Sequence, residues 1–382
     1  MNEIRATLEN LYRTPGPWTS VYLDASGAGP DPRGFAMSKR NSISHRLEQA
    51  GAPRADIDAV VEALVDPTGV PAPVARLLLV KDGEVRLDEA LPGPVQVAEF
   101  AEHGQIPDLV PVLRHHPVDF EYLVVQVGHD AGDITLCTTA DARPAGQEHV
   151  QGRADTLQKV RGNGWSDANY DRHVVDVWTH NEGEVAQRVD ALVVEHNPRF
   201  VLAAGEEVGL AIFTDRLSEA SRKVLRTVVV DARPSDASDQ RLREAIDRAV
   251  AGELEALRAQ ALDGLRERTA GEAAREALGV GEVVHALQQG QVDTLLLLDA
   301  NGAADRAPEL DERTVLALDA EPWVATAPEE AASAQVLEKV PAPSGLVRAA
   351  VLTGATVLFA PPEELPPHVG AAASLRWSAQ AS

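Results

Sequence analysis

An apolar repeat in the middle of the sequence is the feature that most constrains the fold. Apolar residues recur at steps of three or four positions, or multiples of these, at Tyr170, Val174, Val177, Val185, Val189 and Leu192. This spacing is typical of one face of a helix of roughly 30 residues, and Ser166 or Asp167 is placed to cap its N-terminus. The sequence therefore predicts a long, rigid helix through the middle of the chain.

The segment immediately before this helix is Arg161-Gly162-Asn163-Gly164-Trp165-Ser166. Glycine adopts positive φ angles without steric cost, so this segment is predicted to be a loop that bends freely. A loop at the end of a long helix can present Arg161 or Trp165 far from the body of its domain. Two interpretations are open from this stretch alone: a functional tip, or an ordinary surface loop before a core helix.

Around this loop, buried strand patterns alternate with helical segments. Continuous apolar runs at Tyr122–Val127, Phe200–Gly205 and Thr294–Asp299 are typical of buried strands. Such alternation indicates an α/β fold with a mixed sheet. Because the chain has 382 residues, its length favours two or three domains. We predict three domains, at residues 1–117, 118–266 and 267–382.

Local signals predict the remaining elements. Lys81-Asp82-Gly83 indicates a hairpin turn between two short strands, and Gly290 indicates a helix C-cap. The other predicted helices are Ile4–Leu11, a basic helix near Ser38, Ala55–Val65, Ser218–Leu225, a helix from Asp239 to about Arg268, and Val283–Gln289. The other predicted strands are Ser20–Asp24, Asp133–Cys137, Thr227–Asp231, Val351–Phe359 and Ala372–Trp377.

The formal net charge of -24 is distributed unevenly along the chain. Residues 1–50 carry six basic and five acidic side chains, whereas residues 251–382 carry nine basic and 20 acidic ones, a balance of -11. The overall charge argues against broad nonspecific binding of nucleic acid. We therefore expect any RNA contact to be local and near the N-terminal half. The acidic C-terminal third suits a protein partner better.

Basic side chains mark two candidate phosphate-contacting segments. Lys159 and Arg161 lie at the glycine-containing loop, and Arg33, Lys39 and Arg40 lie at the start of the predicted basic helix. Phosphate contacts dominate RNA affinity, and arginine both pairs with phosphates and stacks on bases. For Lys39 and Arg40, a solvated helix face is the alternative interpretation.

Several other classes of function lack support in the sequence. The single cysteine, Cys137, excludes an internal disulfide framework and a cysteine-rich zinc site, and its strand pattern predicts a core position. His173, Asp176 and His180 share a helix face, but metal sites need ligands converging from more than one element. No nucleotide-binding loop or serine-hydrolase elbow occurs in the sequence. Because these motifs are missing, we expect no cofactor. No apolar run approaches the length of a membrane span, so we expect a cytoplasmic protein.

Three segments follow one another in an order that is found in one protein superfamily. The first comprises the strand Tyr122–Val127, the turn at Gly132, a second strand, the loop and the long helix. The second is residues 280–292, with Ala-Leu-Gln-Gln-Gly-Gln-Val at its end, and the third is Gly370–Trp377. Together they resemble the archaeal–eukaryotic class-one release factor and Pelota superfamily. More closely, the chain resembles its bacterial branch, which includes the ribosome hibernation factor Balon.

This resemblance implies a protein shaped to enter the ribosomal A site. The N-terminal α/β domain would face the decoding centre. The middle domain, with a mixed RNase H-like sheet, would point its loop toward the peptidyl-transferase centre. The C-terminal α/β/α domain, like the kink-turn-binding ribosomal proteins, would meet a translational GTPase such as elongation factor Tu. The residues implied to contact rRNA are Lys159, Arg161, Gly162, Asn163, Gly164, Trp165 and Ser166, with Arg33, Lys39 and Arg40.

The loop departs from the superfamily at one position that bears on activity. In the release factors this loop carries Gly-Gly-Gln, whose glutamine helps to place the hydrolytic water. Here Gly162-Asn163-Gly164 contains no glutamine, and Gln158 precedes the glycines out of register. We therefore expect a ribosome-associated factor without enzymatic activity, acting in hibernation, dormancy or rescue under stress. The alternatives are a peptidyl-tRNA hydrolase or tRNA nuclease of release-factor type, and a protein that binds only other proteins through its acidic C-terminal domain.

Overall fold

The structure is a computed structural model that describes residues 3–26, 32–116, 118, 120–128, 131–139, 146–151, 183–230, 236–267, 276–299, 310, 313–366 and 368–377. The chain forms two units. The first unit combines Met1–Val118 with Arg258–Ser382, and the second unit is Asp119–Leu257. In the part of the chain that is described, no helix is both long and apolar enough to cross a bilayer.

The N-terminal segment of the first unit is built on an antiparallel sheet with the strand order β3-β2-β1-β4. Strands β1 and β2 bury nearly every side chain, whereas β3 is mostly exposed. The apolar core lies between this sheet and helices α2 and α3. The elements are α1 (Glu3–Arg13), β1 (Trp18–Asp24), α2 (Pro32–Gln49), α3 (Arg54–Ala63), β2 (Val74–Lys81), β3 (Glu84–Pro92), β4 (Phe100–Gly104) and α4 (Val110–His115).

The C-terminal segment of the first unit contains two further sheets. The second unit is a five-stranded mixed sheet in the order β7-β6-β5-β8-β9, with β8 parallel to both β5 and β9. Its elements are β5 (Glu121–Val127), β6 (Ala131–Thr138), β7 (Gly146–Gln151), α5 (183–196), β8 (Val201–Gly205), α6 (Glu207–Arg216), α7 (Glu219–Lys223), β9 (Leu225–Val229) and α8 (Asp236–Glu267). The residues of α8 from Arg258 onward belong to the first unit.

Both faces of the second unit's sheet are buried, which explains why its central strands are continuously apolar. Alternate side chains of β5 point to opposite faces, so Leu123 and Val125 pack on one side and Tyr122 and Val124 on the other. Helices α5 and α6 cover the first face. Helix α8 covers the second face, where its Ala245 and other residues pack on the aromatic side chains.

The C-terminal segment of the first unit has one mixed sheet in the order β10-β16-β11-β15 and one antiparallel sheet in the order β13-β12-β14. Helix α10 is its central element and buries every residue except Pro343. The elements are β10 (Glu276–Leu278), α9 (Val280–Gln288), β11 (Val292–Leu298), β12 (Thr314–Leu318), β13 (Val324–Ala325), a 3-10 turn (Pro328–Ala331), β14 (Val336–Pro341), α10 (Ala342–Leu352), β15 (Thr356–Ala360) and β16 (Ala371–Leu375).

Polar contacts join the N-terminal and C-terminal segments of the first unit. The Arg114 guanidinium lies 2.6 Å from the Asp299 carboxylate and 4.5 Å from the centre of the Phe359 ring. The backbone N–H of Gln105 donates to the Glu338 carboxylate at 2.7 Å. These contacts connect residues that lie more than 180 positions apart in the sequence, which is why the two segments form one unit.

The mixed α/β class predicted from the sequence is confirmed, and the hairpin prediction holds in detail. Asp82 and Gly83 take φ angles of 54° and 76°, as a two-residue hairpin turn requires. Gly290 ends α9 with a φ of 63°. The three domain boundaries and the likenesses to RNase H and to kink-turn-binding proteins stay predictions.

One predicted strand is wrong over its first residues. Val351 and Leu352, predicted to begin a strand that reaches Phe359, instead end helix α10. Gly354, with a φ of 77°, lies after this helix, and strand β15 begins only at Thr356. Apolar residues stand on both sides of Thr353 and Gly354, at the end of the helix and again in the strand. A buried helix and a buried strand give the same pattern over such a short run.

Candidate functional site

The whole of the predicted RNA-contacting loop lies outside the described residues. This holds for Lys159, Arg161, Gly162, Asn163, Gly164, Trp165 and Ser166. The structure describes the base of this segment, which is strand β7 on its N-terminal side and helix α5 on its C-terminal side. The described part of the candidate site is therefore formed by strand β7 and helix α5.

Helix α5 is fixed to the sheet by the apolar face that the sequence predicted. Its residues Val185, Ala186, Val189 and Leu192 are all buried in the core of the second unit. Gly132 of β6 allows the close approach, because a Cβ atom added there would lie 2.7 Å from a methyl carbon of Val185. The described end of the long helix is thus held rigidly against the sheet.

Replacing Gly132 by alanine is expected to lower the free energy of unfolding of the second unit by about 1–3 kcal/mol, because the added methyl group overpacks the contact with Val185. Thermal unfolding followed by circular dichroism measures this change. Gly183→Ala is the matched control, since a Cβ at Gly183 has no neighbour within 4 Å. Equal stability of the two variants would contradict the proposed packing role of Gly132.

A half-buried carboxylate also connects helix α5 to helix α7. Asp190 accepts hydrogen bonds from the Ser218 backbone N–H, at 3.1 Å to each oxygen, and from the Ser221 hydroxyl at 2.5 Å. Ser221 is fully buried. Because hydrogen bonds to an ionised group are stronger than neutral ones, this contact fixes the rotation of α5 on the sheet. The sequence alone did not indicate this role for Asp190.

The only cysteine does not have the surroundings of a catalytic nucleophile. Cys137 lies on β6 beside Tyr122, in the apolar layer under α8. Burial raises the pKa of the Cys137 thiol above its ordinary value, with an opposing contribution from the hydrogen bond to Tyr122. A raised pKa keeps the sulfur protonated at neutral pH, whereas nucleophilic cysteines have lowered pKa values.

On helix α2 of the first unit, the structure distinguishes between the predicted contact residues. Lys39 is already paired, because its Nζ lies 2.8 Å from the Glu99 carboxylate and donates to the Asp24 carbonyl at 2.5 Å. Arg40 has no hydrogen-bond or ion-pair partner among the described residues. Arg33 lies in the first turn of α2, and its side chain is outside the described part of the structure. Arg40 is therefore the cation of this group that is available to an anion.

Helix α2 itself carries no acidic residue over most of its length, which is unusual in so acidic a chain. From Pro32 to Leu47 it contains four basic residues and no acidic one. Arg46, which the sequence analysis did not select, is exposed on this helix, and its guanidinium donates to the Glu99 carbonyl at 3.2 Å. Its signal in the sequence was the spacing of seven residues from Lys39, about two helical turns, which places both side chains on the same face of the helix.

The C-terminal segment presents the opposite charge. Asp319, Glu321 and Glu329 are exposed around the small sheet β13-β12-β14. Hydrogen bonds from the backbone and side chain of Thr326 lower the pKa of nearby Glu330. Within the described ranges, no group of three or more His, Cys, Asp or Glu side chains could hold a metal ion.

Known proteins are similar to the chain in two respects, a match to a family model and a similarity to solved structures. Residues 121–271 match the family model of bacterial archaeo-eukaryotic release factor family 2. No curated protein matches the chain significantly. The matched segment contains residues 161–166, helix α5 and strands β5 to β9.

Several solved structures are similar to the chain at low identity and low TM-score. They include Archaeoglobus fulgidus Pelota, with 18% identity over 81% of both chains and a TM-score of 0.36. The archaeal translation termination factor aRF1 has 16% identity over 98% of this chain and 96% of its own, with a TM-score of 0.24. Dom34 of S. cerevisiae, a translation termination-like factor that interacts with Hbs1, has 10% identity over 68% of this chain and 64% of its own, with a TM-score of 0.31. Similarity at this level carries no argument about function, so the assignment rests on the family match. By that match, residues 121–271, which make up less than half of the chain, are similar to bacterial archaeo-eukaryotic release factor family 2.

Proposed function

We propose that this protein is a ribosome-associated factor that occupies the A site without hydrolysing peptidyl-tRNA, in hibernation, dormancy or rescue under stress. The observation that carries the proposal is the sequence of the loop within the matched segment 121–271. That loop has Gly162-Asn163-Gly164 where the release factors have Gly-Gly-Gln. A tip without the glutamine that places the hydrolytic water occupies its site and performs no ester hydrolysis there.

The distribution of basic residues supports contact with RNA at two places. Lys159 and Arg161 precede the glycines of the loop, and helix α2 carries four basic residues and no acidic one from Pro32 to Leu47. Local basic surfaces are sufficient for an acidic protein, because salt screens the charge of the rest of the body beyond about 8 Å at physiological ionic strength. Trp165 adds a ring that stacks on an unpaired base.

Replacing Arg161 and Trp165 together by alanine is expected to weaken ribosome binding about 30-fold, since stacking on one base contributes about 1–3 kcal/mol and the phosphate contact is lost as well. Co-sedimentation with ribosomes at two salt concentrations measures the change. The matched control is Arg54→Ala with Trp377→Ala, which removes one exposed arginine and one exposed tryptophan of the first unit. Undiminished binding by the loop variant would show that Arg161 and Trp165 do not contribute to ribosome binding.

A release assay distinguishes this function from the hydrolase alternative. Purified protein is added to ribosomes that carry a labelled peptidyl-tRNA, with and without divalent metal ions. We expect the nascent chain and the tRNA to stay intact while the protein co-sediments with the ribosomes. Release of the peptide would establish a peptidyl-tRNA hydrolase, and cleavage of the tRNA would establish a nuclease.

We also propose that the acidic C-terminal segment binds a translational GTPase, with elongation factor Tu as the candidate. The support is the exposed carboxylates Asp319, Glu321 and Glu329, which suit a basic protein surface. Pull-down of purified elongation factor Tu, with and without ribosomes, tests the partnership. Binding that persists after charge reversal of all three carboxylates would place the contact elsewhere.

A further inference from the structure

A cavity in the N-terminal segment of the first unit has the composition of a small-molecule site. Its volume is about 210 Å³, and it opens between the end of β1, helix α2 and the loop after α3. The apolar part of its wall is formed by Leu23, Ala25, Ile43, Leu64, Val65 and Pro67. This volume is below the roughly 300 Å³ at which sites for drug-sized ligands begin. The cavity is therefore suited to one branched side chain with a short polar end.

Two of the three cations that line the cavity are already neutralised by the protein. The Arg76 guanidinium donates to both oxygens of the Asp88 carboxylate, at 2.7 and 2.6 Å, and to two backbone carbonyls. The Lys39 ammonium group is held by the Glu99 carboxylate, as described above. Neither cation needs a ligand to satisfy its charge.

The carboxylate of Asp24 is also satisfied within the protein. It accepts hydrogen bonds from the backbone N–H of Ser26 at 2.9 Å and from the Ser26 hydroxyl at 2.5 Å. Two charged side chains of the lining are left, Arg40 and Asp66. Neither has a hydrogen-bond or ion-pair partner for its side chain in the part of the chain that is described.

The cavity thus combines an apolar wall with one available positive and one available negative charge. Val65, which is 60% exposed, lies on the wall and would be covered by an apolar group in the cavity. A ligand with a carboxylate alone would leave Asp66 unpaired beside it, and a ligand with an amine alone would leave Arg40 unpaired. We propose that this cavity binds a free α-amino acid with a branched apolar side chain, whose carboxylate pairs with Arg40 and whose ammonium group pairs with Asp66.

Isothermal titration calorimetry on the full chain tests this assignment, with L-leucine as the probe. The comparison ligands are 4-methylpentanoate, which lacks the ammonium group, and 3-methylbutylamine, which lacks the carboxylate. We expect a Kd for leucine on the order of 0.1–1 mM and about tenfold weaker binding of each comparison ligand, because each loses one charge-assisted contact.

Two variants assign each charge to its partner. Arg40→Gln is expected to weaken leucine binding about tenfold and to abolish the preference for leucine over the amine, since the carboxylate then has no partner. Asp66→Asn is expected to abolish the preference for leucine over 4-methylpentanoate in the same way. The matched controls are Arg54→Gln and Asp58→Asn, an exposed ion pair at 3.0 Å on α3 that does not line the cavity.

The assignment is overturned by any of three results: no binding of leucine at millimolar concentration, equal affinity for all three ligands, or unchanged affinity in Arg40→Gln and Asp66→Asn. Ala25→Leu gives a further check, because an added isobutyl group fills part of the cavity. In that variant the heat of leucine binding is expected to disappear. Heteronuclear NMR spectra of the same variant show whether the sheet around β1 is retained, and retained binding would place the ligand elsewhere.

Discussion

Replacing Arg76 by leucine is expected to lower the free energy of unfolding of the N-terminal segment by about 3 kcal/mol, which is the cost of breaking a buried, hydrogen-bonded ion pair from one side. The Arg76 side chain is 7% exposed. Its guanidinium joins strand β2 to Asp88 on β3 and to the carbonyls of Ala63 and Asp66 at the end of α3. Leucine leaves all three acceptors without this donor. Asp88 is 39% exposed and is hydrated by water, so the two carbonyls carry much of the cost.

Hydrogen–deuterium exchange of peptides from residues 54–92, measured as a function of urea, reports the stability of this segment without interference from the second unit. Arg54→Leu is the matched control, because Arg54 also pairs with two carboxylates but is 72% exposed. Exposed pairs contribute about 0–1 kcal/mol, so the control is expected to change little. If both variants lose the same stability, the network around Arg76 has no special role.

The sequence predicted those parts of the fold that depend on local signals. The hairpin turn is encoded by Asp82 and Gly83, which both take positive φ angles. The end of helix α9 is encoded by one residue with positive φ, Gly290. The burial of β5 on both faces follows from its continuous apolar run. Helix α10 was not predicted, because Ala342–Leu352 is buried on all sides and its sequence lacks the alternation of apolar and polar faces that marks a surface helix.

The candidate site was less predictable because its contacts join distant parts of the chain. Lys39 and Arg40 are adjacent in the sequence and equally basic, yet only Lys39 meets Glu99, which lies 60 residues away. Asp66 follows a helix in an unremarkable turn, and nothing near it in the sequence indicates a cavity shared with Arg40. Pairing and enclosure of this kind depend on tertiary packing, which one sequence does not display.

Acidification is expected to stabilise the first unit through Asp108, which lies between its two segments. Desolvation raises the pKa of Asp108 to about 6 from an ordinary value of 3.8, and the charge of Glu102 acts in the same direction. Hydrogen bonds from Val110 and Ser344 and the charge of Arg114 act in the opposite direction. Ser344 belongs to α10, so the C-terminal segment helps to enclose this carboxyl group. Buried Tyr12 is also close, and burial together with the charge of Asp108 raises its pKa.

The sign of the effect follows from where the proton is bound more tightly. Because the pKa of Asp108 is higher in the folded chain than in the unfolded chain, its protonation stabilises the folded state. This contribution is complete below a pH of about 4 and is lost as the pH rises through about 6. Two pKa units correspond to at most about 3 kcal/mol, and the partial exposure of Asp108 makes this an upper limit.

Asp108→Asn isolates this contribution from all other titrating groups. Asparagine can still accept from the Val110 N–H, which bonds Asp108 Oδ1 at 3.0 Å, and its amide can donate to the Ser344 hydroxyl. The variant is therefore expected to match the native protein at pH 4 and to exceed it by about 1–3 kcal/mol at pH 7. Urea-dependent hydrogen exchange of β4–α4 and α10 peptides at both pH values measures the difference, with exposed Asp58→Asn as the control. A difference between variant and native protein that stays constant with pH would show that the pKa of Asp108 is not raised in the folded protein, and that enclosure by α10 does not hold its proton.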